Sequence, residues 1–484
     1  MNRELKRVTI LIFSMFLSLL IAGSLIQFVN SDSLMADGKN PRSLYDSYKT
    51  QRGSILANGK LIAWSIKTDD KYQYLREYDN EAYSAVTGFY SLSQGTTGIE
   101  NSLDSYLTGK NSSQFFEQIN ALLSGNPMAG ASVYLTIDPK VQQAAYEAMG
   151  NLTGAVVAIA PSTGKILAMV STPGFNANLL AVHNPALASN NYQQLLNQPN
   201  SPLINRAIGG DLYAPGSVFK IIVASAAFET GKFQPSSMLP NPKKFKLPDT
   251  STFIYNSGEG KCGSSKPKVT IADALRFSCN IPFAELGLQL GQNTIAAQAE
   301  RFGFGKSFNL PMSSTASEYP KNMDDAQTAL SSFGQFDDKA SPLQMAMVSA
   351  AIANGGVMMQ PTLINSILSP NLAVLSTFGS TSLGSAVSST TATEVKDMMV
   401  GAVSRGVSSN GQIKGVRVAG KTGTAQNGPG QPYTLWFTGF APAENPQVAV
   451  AVVVANGGGL GQRGFGNLVA APIARKVMKA VLGK

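Results

Sequence analysis

Residues Ala214 to Phe228 read APGSVFKIIVASAAF, a Pro-Gly turn running straight into an unbroken apolar helix pattern. Pro215-Gly216 turns the chain, and the pattern predicts a helix from Ser217 to Thr230 with Ser217 in its first turn. A serine there has an ordinary explanation as a helix N-cap. Lys220 fits that explanation less well. Three residues on, it lies on the same helical face as Ser217. It also stands near the positive end of the helix, where a cation is disfavoured. A lysine so placed gives up its proton more easily and can act as a base towards the hydroxyl. Ser217 is the candidate nucleophile and Lys220 the candidate base.

The segments on either side set the architecture. GAVVAIA (Gly154 to Ala160) and KILAMVS (Lys165 to Ser171) are β-branched runs around a Pro161–Gly164 turn, the pattern of a hairpin. Thr434 to Ala441 and Val448 to Ala455 give a second strand pair near the other end of the chain. Helical patterns occupy the middle, at Ser217 to Thr230, Ile271 to Leu290 and Pro342 to Ala353, and Leu468 to Leu482 reads as a last helix. Strands at both ends with helices between predict an α/β (α+β) domain over residues 151–484, whose two ends meet in one sheet. Ser369 to Thr390 reads as a Ser/Thr-rich loop. Residues 31–150 are polar and turn-rich, with a strand pair turning at Asn58-Gly59 and a helix starting at Asp138-Pro139. They predict a separate small module.

The chain has 484 residues, too many for one ordinary core. VTILIFSMFLSLLIAGSLIQFV (Val8 to Val29) spans about 33 Å as a helix, enough for a bilayer core. Arg3, Lys6 and Arg7 precede it, which predicts a cytoplasmic tail at 1–7, an uncleaved anchor at 8–29 and everything after it outside the membrane. A net charge of +9 favours anionic surfaces, and no nucleic-acid-binding signature accompanies it. One histidine, His183, and two cysteines, Cys262 and Cys279, cannot assemble an ordinary zinc site, and phosphate-binding glycine loops are missing. His183 reads as a surface residue without a catalytic role. Outside the membrane Cys262 and Cys279 either pair or remain two separate thiols. The chemistry is left to serine, lysine and backbone groups, with no cofactor and no metal expected.

Two more stretches offer such groups. In LRFSCNIPFAELG, Ser278 supplies a hydroxyl able to relay a proton and Asn280 an amide able to hold a peptide backbone, although a polar turn between helices is the plainer reading. In VRVAGKTGTAQ, Gly423 permits close approach of a ligand, and Lys421, Thr422 and Thr424 offer a carboxylate a cation and two donors. Backbone N–H groups of Ser217 and Thr424 are the candidate oxyanion hole.

Ser217-x-x-Lys220, Ser278-x-Asn280 and Lys421-Thr422-Gly423, in that order after a membrane anchor, are similar to the motif set of penicillin-binding proteins and related β-lactamases. Arg52-Gly53 with Ile55, Gly98-Ile99-Glu100, Ile137-Asp138 with Gln142, Asn205-Arg206-Ala207, and Gly334-Gln335 with the PLQMA run at Pro342 extend the resemblance to class B penicillin-binding proteins. The short first module, without PASTA modules, is most similar to the small members of mycobacteria and streptomycetes.

The resemblance implies a penicilloyl-serine transferase fold, with a central antiparallel sheet flanked by helices, on a non-catalytic, dimerisation-like pedestal at 31–150. It implies a D,D-transpeptidase that cross-links peptidoglycan stem peptides ending in D-Ala-D-Ala and is acylated by β-lactam antibiotics. A membrane glycosyltransferase and division or elongation proteins are the implied partners. A D,D-carboxypeptidase, or a mainly structural member of such a complex, is the alternative. Cys279 in the middle of the Ser-x-Asn motif departs from the family pattern. Paired with Cys262, it would tether the loop that carries Ser278.

Overall fold

A computed structural model of the chain describes residues 2–29, 48–124, 128–258 and 260–484. The expected first residue of the N-terminal module, Ser31, lies outside the described residues. Five strands form the central sheet, in the order Ala419–Ala425, Thr434–Ala441, Val448–Val454, Gly154–Ile159, Ile166–Thr172. Every neighbouring pair is antiparallel. The join between the two ends of the chain is the pairing of Val448–Val454 with Gly154–Ile159, as the strand pattern predicts.

Both joining strands are buried at every residue, which explains why they read as continuous apolar runs rather than alternating ones. Alternate residues still divide between two layers. Ala155, Val157 and Ile159 face one core, shared with the Ser217–Phe228 segment and the helix Pro342–Ala353. Val156 and Ala158 face a second, beneath Ala470–Val481 and Pro139–Met149. Pro139–Met149 starts as expected, with the Asp138 carboxylate accepting from Lys140 N–H at 2.8 Å. Ala419–Ala425, which carries Lys421, is an edge strand of the sheet.

A second sheet of six strands runs in the order Val374–Thr377, Ile364–Leu368, Ser132–Leu135, Ile55–Ala57, Lys60–Lys67, Tyr74–Tyr78. Asn58 and Gly59 turn its hairpin with φ of 44° and 82°, the left-handed pair that a tight two-residue turn requires. The stretch Ser369 to Thr390 is not the expected loop. It contains strands Val374–Thr377 and Ser382–Ser385, and the helix Ser389–Arg405 begins before it ends. Its strands are mostly exposed and lack an alternating pattern. They form because Ile364–Leu368 and Val357–Met359 offer unpaired edges.

The Arg52 and Glu100 signatures meet inside the N-terminal module. Arg52 Nε donates to Glu100 at 2.5 Å and Arg76 Nε at 2.6 Å, with all three side chains buried. Burial alone would push the Glu100 carboxyl up, but the two guanidiniums hold it below its usual range. His183 is also not the expected surface residue. Its side chain is 13% exposed and bonds the Asp70 carboxylate. Its Nε2 lies 3.0 Å from the Tyr74 carbonyl oxygen, and Tyr48 and Tyr72 pack against the ring. It links the central region to the N-terminal module. The partners lie more than a hundred residues away along the chain, so the local polarity of the sequence gave no sign of them.

Asn2–Ser24 is a helix continued by a π-helical turn at Leu25–Val29. Within Arg3–Gln27 the most apolar 18-residue window has a mean hydropathy of 2.4, and the helix is long and apolar enough to cross a membrane.

Candidate active site

The Ser217 segment does not start as an α-helix. Gly216–Phe219 forms a 3₁₀ turn, and the α-helix Lys220–Glu229 begins only at the lysine. Gly216 takes φ of 54° and donates its N–H to Gly334 O at 2.8 Å. A Cβ on Gly334 would fall 1.9 Å from Gly216 O, so that contact requires glycine. Trp436 Nε1 donates to Ala214 O at 2.9 Å, and a Cβ at Gly423 would meet Pro215 O at 2.8 Å. The turn is thereby clamped between the edge strand and the Gly334 loop. Ser217 makes no capping bond, so the N-cap explanation fails.

Instead, Ser217 Oγ lies 3.1 Å from Lys220 Nζ. Lys220 also donates to Ser278 O and Asn280 Oδ1, each at 2.8 Å. The Asn280 amide cannot be turned over, because its Nδ2 donates to the Tyr255 carbonyl at 3.2 Å. Two of the three partners of Lys220 are therefore pure acceptors. In a neutral amine both N–H groups satisfy them, and the lone pair is left facing the one partner able to donate, the Ser217 hydroxyl. Lys220 is fully buried, and that burial, with the Lys421 charge second, pushes its pKa well below the usual lysine range.

The predicted helix Ile271 to Leu290 breaks where the second motif lies. Ile271–Arg276 ends, Ser278 adopts φ of 60°, and Asn280–Leu290 begins afresh. Remote groups hold this uncommon conformation. Asn256 Oδ1 accepts from Asn280 N–H at 2.9 Å and Ile281 N–H at 3.1 Å, capping the new helix from another part of the chain. Cys279 is bonded to Cys262. Lys421, also fully buried, donates to Ser278 Oγ at 2.7 Å and Thr422 O at 2.8 Å, and burial brings its pKa down to about 7. The two amines thus reach the two serines in series. Thr422 N–H donates to Ser408 Oγ at 3.0 Å, and Thr424 Oγ1 accepts from Gly466 N–H at 3.2 Å.

Ser217, Ser278, Asn280, Thr422, Gly423 and Thr424 line one cleft of about 1000 Å³. A smaller cavity of about 350 Å³, between the N-terminal module and the Leu203–Ile208 loop, is lined by no titratable side chain. No group of metal-ligating side chains occurs among the described residues.

Residues 154–479 match the penicillin binding protein transpeptidase domain, and residues 52–133 the penicillin binding protein A dimerisation domain. The chain belongs to the penicillin-binding protein transpeptidase family. This penicillin-binding protein is 41% identical to peptidoglycan D,D-transpeptidase PbpA of Mycolicibacterium smegmatis, over 100% of its own length and 99% of the relative's. It is 39% identical to PbpA of Mycobacterium tuberculosis with the same coverage. Penicillin-binding protein A of M. tuberculosis, solved as a ceftriaxone acyl-enzyme complex, superposes with a TM-score of 0.87 at 39% identity, covering 90% of this chain and 100% of that one. Its penicillin G acyl-enzyme complex gives 0.84.

All eight candidate residues of the penicillin-binding protein come together, and so does the cysteine pair. What sequence reasoning missed are their supports: Asn256, Ser408, Gly466 and the Gly334 contact with the Ser217 turn. A disulfide across so short a loop constrains the unfolded chain by about 3 kcal/mol. Reduction is expected to lower stability by that order and to slow acylation by penicillin, because the Ser278 turn loses its tether. Calorimetry with and without reductant, alongside the acylation rate, checks both; an unchanged rate would separate the tether from the chemistry.

Proposed function

We propose that this chain is a peptidoglycan D,D-transpeptidase of cell-wall synthesis, acting on stem peptides ending in D-Ala-D-Ala and acylated by β-lactams. The observation that carries this reading is Lys220 Nζ, buried and hemmed in by two carbonyl oxygens, 3.1 Å from Ser217 Oγ at the cleft. Lys220 takes the Ser217 proton as Oγ attacks the penultimate D-Ala carbonyl carbon. The backbone N–H groups of Ser217 and Thr424 hold the developing oxyanion; one such donor contributes about 3 kcal/mol. Close packing of the Gly216 turn against the Thr424 backbone supports that pairing. As the C–N bond breaks, Ser278 relays the proton taken up by Lys220 to the departing D-Ala amine. Lys421, Thr422 and Thr424 hold the D-Ala carboxylate and Asn280 the peptide amide; Gly423 lines the cleft with its backbone, and its missing side chain makes room for Pro215 O rather than for the substrate. An acceptor amine then displaces Ser217, forming the cross-link amide and returning the proton to the serine.

The proposed organisation is a cytoplasmic tail at 1–7, an anchor at 8–29, a pedestal at 31–150 and an extracytoplasmic transpeptidase domain at 151–484. Arg3, Lys6 and Arg7 ahead of the apolar helix support that orientation. A membrane glycosyltransferase and division or elongation proteins are the proposed partners.

The test supplies a stem peptide ending in D-Ala-D-Ala together with an amine acceptor. One D-Ala released per cross-linked product is expected. Release without coupling would instead assign a carboxypeptidase, and neither release nor an acyl adduct would overturn the reading.

A further inference from the structure

Near the turn of Ser217, outside the lining of the cleft, lies an acid that the transpeptidase reaction does not use. Asp338 is 1% exposed, whereas its neighbours Asp337 and Lys339 both face outwards. Ser331 Oγ donates to its Oδ1, and among the described residues its Oδ2 has no hydrogen-bond partner. The Tyr319 hydroxyl is also buried; Ser331 and the Asp338 carboxyl are the polar groups that act on it. No ion pair to Asp338 occurs among the described residues.

Three routes lead from this cluster to the nucleophile. Ser331 O accepts from Gly334 N–H at 2.9 Å, and Gly334 O accepts from Gly216 N–H at 2.8 Å, one residue before Ser217. The Tyr319 ring stacks on Phe219, inside the nucleophile's turn, with centroids 5.5 Å apart and planes 6° apart. The Asp338 segment itself is sandwiched. Lys339 exchanges backbone hydrogen bonds with Glu318, and Ala340 with Tyr213, just upstream of Pro215. Phe333, two residues past the end of the helix Asp325–Ser331, places its ring centroid 5.9 Å from Lys220 Nζ.

We infer that Asp338 is a positioning residue for acylation, holding the Ser217 turn in place through Ser331–Gly334–Gly216 and Tyr319–Phe219. The inference rests on the transpeptidase reading of that serine. Burial, opposed only in part by the Ser331 hydrogen bond, keeps the Asp338 carboxyl protonated well above the usual carboxylate range. The titratable groups around it are Asp337, the next residue in the chain, whose charge disfavours ionisation of Asp338, and Tyr319, whose own pKa is pushed up first by burial and then by the Asp338 charge. In the protonated state Oδ1 accepts from Ser331 and Oδ2 carries the proton, so the cluster holds no charge that needs a cation. Ionisation would place an unpaired charge near the turn.

The experiment measures the second-order rate of acylation by a fluorescent penicillin, across pH, for the full chain and for Asp338→Asn and Asp338→Ala. Asp338→Asn mimics the neutral acid in shape and hydrogen bonding, and a rate within about threefold of the parent is expected from it. Asp338→Ala removes the acceptor of Ser331 and is expected to be slower by about tenfold to a hundredfold, as a small misplacement of the nucleophile would produce. The parent is expected to lose rate at alkaline pH as the acid ionises, and Asp338→Asn to lack that fall. If Asp338→Ala does not fold, the comparison of pH profiles still decides. An Asp338→Asn variant as slow as Asp338→Ala, an Asp338→Ala variant as fast as the parent, or identical pH profiles for parent and Asp338→Asn would each overturn the inference. Ser217→Ala, run alongside, separates the two layers. Covalent label on that variant would overturn the nucleophile assignment and the inference with it, whereas the other three results overturn the inference alone.

Discussion

Ser217→Ala is expected to abolish covalent labelling by penicillin and to reduce peptide cross-linking by about 10⁶-fold, the scale seen when a serine enzyme loses its nucleophile. The fold is expected to be unaffected. Among the described residues the Ser217 hydroxyl has a side-chain hydrogen bond to Lys220 only, and the lysine keeps the Ser278 and Asn280 oxygens when the hydroxyl is gone. The turn itself is held by backbone contacts to Gly334 and by Trp436. The loss of one side-chain hydrogen bond changes stability by about 1 kcal/mol. Melting curves and gel labelling, read together, check this. A folded variant that still binds penicillin covalently would be inconsistent with the assignment.

The second large effect concerns Lys220. Lys220→Met is expected to slow acylation by about 10³-fold, within the range of a lost general base. Lys220→Arg is expected to do no better, because a guanidinium keeps its proton and cannot accept the one from Ser217. The pH dependence carries the same sign. Burial first, and the Lys421 charge second, lower the Lys220 pKa, so acylation is expected to rise with pH through a limb below the ordinary lysine range as Lys220 loses its proton. Lys421, whose pKa is about 7, bears a charge mainly below that pH, where it makes protonation of Lys220 least favourable. Lys421→Gln removes that repulsion, and its rising limb is expected to move to higher pH. Pre-steady-state acylation rates for the four proteins test this. A limb that stays in place in Lys421→Gln would leave burial as the sole cause of the low pKa.

The Ser217–Lys220 pair was legible because a lysine near a helix start conflicts with the local electrostatics, and such a conflict survives in a single stretch of sequence. The sheet was legible because Gly154–Ile159 and Val448–Val454 are buried on both faces and read as apolar throughout. Ser278 was only partly legible. A polar turn between helices was readable there, but the positive φ of Ser278 was not, because it is held by Asn256 and Cys262, both outside the motif. His183 was misread because its partner Asp70 lies 113 residues away along the chain, whereas the Ser369–Thr390 stretch was misread because its strands, one of them hairpin-paired with the adjacent Ile364–Leu368, are mostly exposed and show no alternation. Asp338 lies in a polar run, FDDKAS, where nothing local distinguishes the buried aspartate from the exposed Asp337 beside it.

The most direct measurement is peptide mapping by mass spectrometry after the intact protein has reacted with penicillin G. A single penicilloyl adduct on the peptide that contains Ser217 is the expected result, with Ser278 and every other hydroxyl unmodified. An adduct on any other residue, or a folded protein that carries none, would contradict the account.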